Sequence, residues 1–173
     1  MDDSMIELLK SGRKNEIEAY LATNPNSFGK IFNIALSEEE KICWRSAWLI
    51  SSTIKHNDKR LATKKDLLIA AIEGKKDGHQ RELLRILLQL ELEDDQEGLL
   101  FDKCLSLWEN ISNSSSLRIT AFKFIMKTLN KYPELVEEVD FFTDEHYLKP
   151  LSPGIRHSVI QLITRFKKAN SNI

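Results

Sequence analysis

Apolar residues recur along this chain every three or four positions, which is the spacing of one face of an α-helix. No run alternates with the period of two that is typical of a strand, so the pattern predicts an all-α fold. The predicted helices cover, in chain order, about residues 5–9, 17–21, 28–36, 38–55, 67–72, 79–92, 99–108, 119–132, 133–139 and 155–166.

Polar residues supply start signals for several of these helices. Ser37 followed by Glu40 has the form of a capping box, in which each side chain bonds the backbone N–H near the other. Ser114 and its neighbours offer N-cap oxygens, and Ser152-Pro153 combines an N-cap with proline at the first helical position. The polar run 55–65 and the acidic run 91–97 are interpreted as loops, and residues 140–149 as a less regular segment.

Four arginines recur at nearly constant intervals of 36, 37 and 38 residues (81−45, 118−81 and 156−118). They are Arg45, Arg81, Arg118 and Arg156, and each lies just inside the start of an apolar, helix-period run. Such a period predicts stacked two-helix repeats, in which each repeat buries its apolar face against its neighbours.

The residues that follow each arginine support the same register. Three positions on, the four units carry Trp48, Leu84, Ala121 and Val159. Six and seven positions on, three units carry the apolar pairs Leu87-Leu88, Phe124-Ile125 and Leu162-Ile163. The first unit departs here, with Ser51-Ser52 in place of the pair. Residues at these positions lie on one face of a helix, so the pattern predicts a continuous apolar core.

The chain resembles HEAT-type (armadillo-like) α-solenoids, whose repeats often carry a basic residue in the first turns of the second helix. The four arginines match that position. The resemblance implies an αα-superhelix of about four helical-hairpin repeats over about residues 29–168. The length of the chain suits one domain, 1–173. Residues 1–28, whose register is weaker, are interpreted as N-terminal cap helices and residues 169–173 as a frayed tail. The family often places an aspartate a few residues before the arginine, and six residues before it this chain has Glu39, Lys75, Ser112 and Pro150.

Composition narrows the function classes. The net charge is −1 over 173 residues, which argues against a dedicated nucleic-acid binder because such proteins usually carry a basic excess. Cys43 and Cys104 lie far apart in apolar helical runs, so they are interpreted as buried thiols of a reducing compartment. The N-terminus has no secretory character and no run approaches the roughly 20 apolar residues that span a bilayer. A cytoplasmic location without membrane association is therefore expected.

No spacing in the sequence indicates catalysis, a cofactor or a metal. His56, His79, His146 and His157 form no HExxH, HxH or His-Cys arrangement, and no P-loop, GxSxG or GxGxxG occurs. The chain is predicted to be a non-enzymatic protein without a cofactor or a metal site.

The candidate binding residues are the four arginines together with Trp44 and Trp48. The arginines can lock repeats together through loop or helix carbonyls, or they can present a row of cations to phosphate or carboxylate groups. The two tryptophans lie one turn apart and flank Arg45, so they belong either to the core or to an aromatic–arginine patch of the kind found at interfaces.

The predicted function is a protein-binding scaffold or adaptor that uses the concave face of a helical-repeat solenoid, with a protein or peptide as its partner. The alternative is a nucleic-acid binder resembling the HEAT-like DNA glycosylases. In that case the arginine row and Trp44 or Trp48 supply cations and an aromatic ring, and Asp66 or Asp77 supplies the acid. A third hypothesis is a dimerising or capping subunit of a larger assembly, and the oligomeric state stays open.

Overall fold

The computed structural model describes residues 3–38, 42–132 and 138–170. Every regular element in those ranges is helical, which confirms the predicted all-α fold class. The helices are α1 (Asp3–Ser11), α2 (Lys14–Thr23), α3 (Ser27–Leu36), α4 (Cys43–Thr53), α5 (Lys65–Ala70), α6 (Asp77–Leu87), α7 (Asp94–Glu109), α8 (Ser115–Leu129), α9 (Glu138–Phe141), α10 (Glu145–Leu148) and α11 (Pro153–Asn170), with one 3₁₀ turn at Lys59–Leu61.

The chain divides into two compact units, residues 1–91 and 92–173. In unit 1, α4 packs against α3 on one side and α6 on another, while α1 and α2 also contact α4. In unit 2, α8 packs against both α7 and α11. The prediction of one domain over the whole chain stays a prediction.

Each unit buries its own apolar core. In unit 1 the central helix α4 contributes Leu49 and Ile50, which are fully buried together with Ile31 and Phe32 of α3 and Leu84 of α6. Burial of a side chain of this size stabilises the fold by about 1.5–3 kcal/mol. Helix α4 has neighbours on several sides, which explains why so much of its surface is apolar.

The core of unit 2 is built around an aromatic pair. The rings of Trp108 on α7 and Phe122 on α8 lie 4.6 Å apart between centroids and both side chains are fully buried. Ile125 of α8 and Val159 of α11 are also fully buried. Tilted aromatic pairs at this distance add about 0.5–1.5 kcal/mol to the burial of the rings themselves.

The structure bears out the offset that follows each arginine by three residues. Leu84, Ala121 and Val159 are fully buried, and Trp48 is half-buried. The register read from the sequence therefore identifies the inward face of the helix that carries each arginine. Both cysteines, Cys43 and Cys104, are buried free thiols, as predicted.

Two of the predicted helix starts are confirmed. The Ser114 side chain accepts a hydrogen bond from the Leu117 N–H, so Ser114 is the N-cap of α8. Helix α11 begins at Pro153, directly after Ser152. Proline at this position loses no helical hydrogen bond, because the first N–H of a helix has no partner within it.

Two other boundary predictions were wrong. Most of the acidic run 91–97 is not a loop, because Asp94–Glu97 form the first turn of α7 behind a capping box made by Glu93 and Gln96. Acidic side chains are favourable there because they face the positive end of the helix dipole. Ser37 does not begin a helix: its hydroxyl donates to the Ile34 carbonyl at 2.8 Å and closes α3.

The remaining differences concern short elements and helix ends. The segment 140–149, expected to be irregular, contains α10 and the end of α9, and the polar run 55–65 contains the 3₁₀ turn. Helix α11 continues through Asn170. Glu39 and Glu40, the start of the helix predicted at Pro133, and residues 171–173 lie outside the described residues.

Candidate functional site

Arg45 holds the end of a neighbouring helix. Its guanidinium donates to the carbonyl oxygens of Lys10 and Gly12, each at 2.6 Å, and these residues lie at and just beyond the last turn of α1. The last carbonyls of a helix have no partner within it, so a charged donor there satisfies them. Arg45 therefore ties α4 to α1.

Arg118 performs a comparable task inside unit 2. Its Nε donates to the Trp108 carbonyl at 2.9 Å, and its Nη2 donates to the Tyr147 carbonyl at 2.8 Å. The guanidinium also lies 4.7 Å from the centre of the Trp108 ring. The side chain is 1% exposed, and this burial lowers the pKa of Arg118. Arg118 is thus enclosed by the structure rather than presented to a partner.

The other two arginines of the period have different surroundings. Arg81 bonds the carboxylate of its neighbour Glu82 through two nitrogens, at 2.8 and 3.0 Å. The Arg156 side chain is 43% exposed, and its Nη2 lies 4.0 Å from a carboxylate oxygen of Glu145. A binding role for the arginines stays a prediction, and the side chains of Arg81 and Arg156 are 35% and 43% exposed.

The two tryptophans are not equivalent. Trp44 is 43% exposed, although it lies in the first turn of a helix whose opposite face is core. Trp48, one turn later, is half-buried. Trp44 is therefore the aromatic side chain of this pair that a partner can reach.

Trp44 lines a cleft of about 450 Å³ in unit 1, which we call the Trp44 cleft. The cleft lies where the end of α3, the start of α4 and the start of α6 meet. Its walls include Cys43, Gly74, Lys75, Lys76 and His79. The sequence analysis identified Trp44 but not the rest of this cleft.

The polar groups of the Trp44 cleft hold the end of α3. The Lys75 ammonium donates to the carbonyls of Leu36 at 3.3 Å and Ser37 at 3.0 Å, and it pairs with the Glu38 carboxylate. This pairing lowers the pKa of Glu38. Lys75 stands six residues before Arg81, and the absence of an aspartate at this position was the available sequence signal for it.

Two other side chains of the Trp44 cleft, those of His79 and Cys43, are buried. The Nε2 of His79 lies 2.7 Å from the Ala35 carbonyl, so the neutral ring donates to α3 from this nitrogen. Burial lowers the pKa of His79 and raises the pKa of the Cys43 thiol. Both groups are therefore held in their uncharged forms near neutral pH, and the thiolate that nucleophilic chemistry needs is disfavoured.

The acids proposed for a glycosylase-like role lie at helix starts. Asp66 is in the first turn of α5, and Asp77 is the first residue of α6. Within residues 3–38, 42–132 and 138–170, no group of three or more His, Cys, Asp or Glu side chains is arranged to hold a metal ion. Over the same ranges no helix has the length and apolar character needed to cross a membrane.

Comparison with known proteins gives one result that covers nearly the whole chain. A family model described as a HEAT repeat domain matches residues 2–166. Neither a curated protein nor a solved structure gave a match. The matched range contains the helical hairpins of both units and the four arginines that the sequence places in register. The chain therefore belongs to the HEAT repeat domain family.

Proposed function

We propose that this protein is a non-enzymatic scaffold that binds a partner protein at the Trp44 cleft. The observation that carries the proposal is the exposure of Trp44 at the wall of a cleft of about 450 Å³. Tryptophan is enriched among the residues that dominate binding energy at protein interfaces, and HEAT repeats are surfaces built from stacked helices. An exposed tryptophan beside a cleft suits a partner that inserts a side chain next to the ring.

The chemistry of the cleft supports binding over catalysis. His79 and Lys75 face the carbonyls of α3, and the Cys43 thiol is buried. A nucleophilic cysteine needs a lowered pKa, whereas burial raises the pKa of Cys43. The contacts of Lys75 and His79 hold the end of α3 at the wall of the cleft.

The surroundings of Arg45 and Arg118 count against the nucleic-acid alternative. Arg118 is buried and Arg45 donates to two helix-end carbonyls, so neither guanidinium is directed at a phosphate. Nucleic-acid binding depends on cations that exchange their counterions for phosphate groups. The cytoplasmic location remains a prediction from the sequence.

Affinity capture from the native lysate, with and without nuclease, tests the proposal. The bait is the full chain as wild type, as Trp44→Ala and as Leu67→Ala. Leu67 is the matched control because it is also an exposed apolar residue of unit 1, 54% exposed, and it does not line the cleft. Bound proteins are quantified by mass spectrometry.

We expect partners that survive nuclease, are lost with Trp44→Ala and are retained with Leu67→Ala. Partners that disappear with nuclease would instead support the nucleic-acid alternative. Equal capture by the two variants would exclude Trp44 as the contact.

A further inference from the structure

Two arginines on α6 share one buried carboxylate in unit 1. Arg81 and Arg85 both donate to Glu82, which is fully buried, while their own side chains are 35% and 44% exposed. Residues four apart lie on the same face of a helix, so the two guanidinium groups are held next to each other at the surface. We call these three residues, together with Ser51 of α4, whose hydroxyl also donates to Glu82, the Glu82 network.

Two members of the Glu82 network depart from the apolar register of the repeats. Arg85 stands four positions after the arginine of its unit, and at the same offset two other units carry Leu49 and Phe122, which are fully buried. Ser51 stands in the first unit at an offset where the other units are apolar. The two departures come from different helices and meet at one carboxylate. They therefore belong to a single polar site.

Stability alone does not explain a carboxylate at this place. An ionised carboxylate loses its hydration in the core, and well-packed apolar side chains are often at least as stabilising as the buried ion pair that they replace. What Glu82 adds is orientation, because a buried acceptor fixes the exposed guanidinium groups that bond to it. The turn that carries Arg85 is held as well, since the Gln89 side chain donates to the carbonyls of Arg85 and Ser51.

The guanidinium of Arg85 is held through one nitrogen only. Its Nη1 donates to the two carboxylate oxygens of Glu82 at 3.0 and 3.4 Å. Within the described part of the chain, the Nε and Nη2 of Arg85 have no hydrogen-bond partner. These two nitrogens form the edge of the guanidinium that binds a carboxylate through two parallel hydrogen bonds. We call this edge the Arg85 fork.

The charge of Arg85 is only partly compensated. Glu82 is the one carboxylate that pairs with Arg85 among the described residues, and it is shared with Arg81. A further carboxylate at the Arg85 fork completes the compensation. A nucleic acid fits less well, because its affinity comes from several phosphate groups in a row and the buried anion of Glu82 lies directly behind the fork.

We propose that the Arg85 fork binds the carboxylate of an aspartate or glutamate side chain of a partner protein. In this proposal Arg85 makes the contact, and Glu82 and Arg81 position it. None of these three residues lines the Trp44 cleft. The proposal therefore concerns a separate surface and does not depend on the function proposed for that cleft.

Nuclear magnetic resonance of the full-length, isotope-labelled protein tests the proposal. The probe is a glycine–serine peptide with blocked ends and one central glutamate, and its control peptide carries glutamine there, which has the same shape without the charge. The Nε–Hε signal of Arg85 is assigned by its loss in Arg85→Lys. At low ionic strength, where exposed charges are least screened, we expect a saturable shift of this signal with the glutamate peptide alone.

Two matched variants separate the Arg85 fork from the general charge of the protein. Arg85→Gln removes the fork, and we expect the Kd, followed through the backbone amide signals, to rise about three- to fivefold. Arg156→Gln removes the same charge from a side chain of nearly equal exposure, 43%, and should change the Kd by less than about twofold.

Two further variants separate positioning from charge. Glu82→Gln keeps the size of the side chain and makes the site more positive, so attraction by charge alone would strengthen binding. If Glu82 positions the fork, we expect binding to weaken about twofold instead. Arg85→Lys keeps the charge and the exposed position but lacks the fork, and it should also weaken binding at least about twofold.

Four results would overturn the proposal. They are equal shifts with the glutamine peptide, equal losses in Arg85→Gln and Arg156→Gln, an unchanged Kd in Arg85→Lys, and tighter binding of a single-stranded oligonucleotide that is lost in Arg85→Gln. The last result would indicate a phosphate-binding surface. Because the probe is a defined peptide, a failure here leaves the Trp44 capture result unaffected.

Discussion

The buried carboxylate of Glu82 accepts a hydrogen bond from the Ser51 hydroxyl at 2.8 Å, and this contact joins α6 to α4 inside unit 1. The same carboxylate also receives Arg81 and Arg85, whose side chains are 35% and 44% exposed. Glu82 is therefore a fully enclosed anion with three donors around it, two of them charged. Such a group is stable in the core only while its partners remain.

Replacement of Glu82 tests this network. Glu82→Ala removes the carboxylate that Ser51, Arg81 and Arg85 share and creates a cavity, while the Ser51 hydroxyl keeps the Trp48 carbonyl as an acceptor. We expect the free energy of unfolding to fall by about 2–3 kcal/mol. Urea denaturation measures the change. Glu91→Gln, an exposed position of the same unit, is the control and should stay within about 0.5 kcal/mol. Equal stability of both variants would contradict the role of Glu82.

Arg118 and Arg156 occupy the same position in the sequence period but differ in burial. Their replacement should therefore lower the free energy of unfolding by different amounts. Arg118→Met removes the donors to two carbonyls, and we expect a loss of about 3 kcal/mol. Arg156→Met removes a half-exposed side chain and should cost under about 0.5 kcal/mol. Thermal and urea unfolding measure the stability of the two variants. Similar losses of stability would contradict the different structural roles assigned to Arg118 and Arg156.

The stability of the protein should depend on pH through His79. Burial lowers the pKa of His79 in the folded state, so below pH 6.5 the unfolded chain binds a proton that the folded chain refuses. The contribution of His79 to stability is therefore complete above pH 6.5 and is lost as the pH falls toward the folded pKa. The slope attributable to this group approaches about 1.4 kcal/mol per pH unit at most.

Unfolding free energies between pH 7.5 and pH 5.5 check this expectation. We expect His79→Gln to reduce the loss of stability on acidification, because glutamine does not titrate. His157→Gln, an exposed position, should follow the wild type. A wild-type slope that persists unchanged in His79→Gln would refute the assignment.

Replacement by alanine should have opposite effects on stability at Gly12 and at Gly29. A Cβ at Gly12 would lie 2.5 Å from the Leu8 carbonyl oxygen, so Gly12→Ala must displace the turn whose carbonyl receives Arg45. We expect a loss of about 1–3 kcal/mol. A Cβ at Gly29, inside α3, meets no atom within 4 Å, so Gly29→Ala should stabilise by about 0.5–1 kcal/mol. Thermal unfolding measures both, and a shift of the same sign would contradict the account.

Helix periodicity and side-chain caps made much of the fold predictable. Ser114 and Pro153 marked the starts of their helices because their local chemistry acts within one turn. The start of α7 was missed because its capping box uses Glu93 and Gln96 instead of serine and glutamate. Helix α10 was missed because four residues are too few to show a period.

The polar contacts of the core were harder to predict because they join residues far apart in sequence. Ser51 and Ser52 interrupt the apolar register because the Ser51 hydroxyl contacts Glu82. The sequence around Ser51 does not identify this acceptor, because it lies 31 residues away. Trp44 was identified as a candidate, but Lys75 reaches the cleft only through folding. The acidic run was noticed, although the ion pair between Glu97 and Lys131 depends on the packing of α8 against α7.

Hydrogen–deuterium exchange of the protein, alone and with the partner captured by the wild type, tests the central claim most directly. If the Trp44 cleft is the binding surface, the peptide amides of residues 43–49 and 74–79 should exchange more slowly in the complex. Unchanged exchange in both stretches, with protection confined to other parts of the chain, would contradict the account.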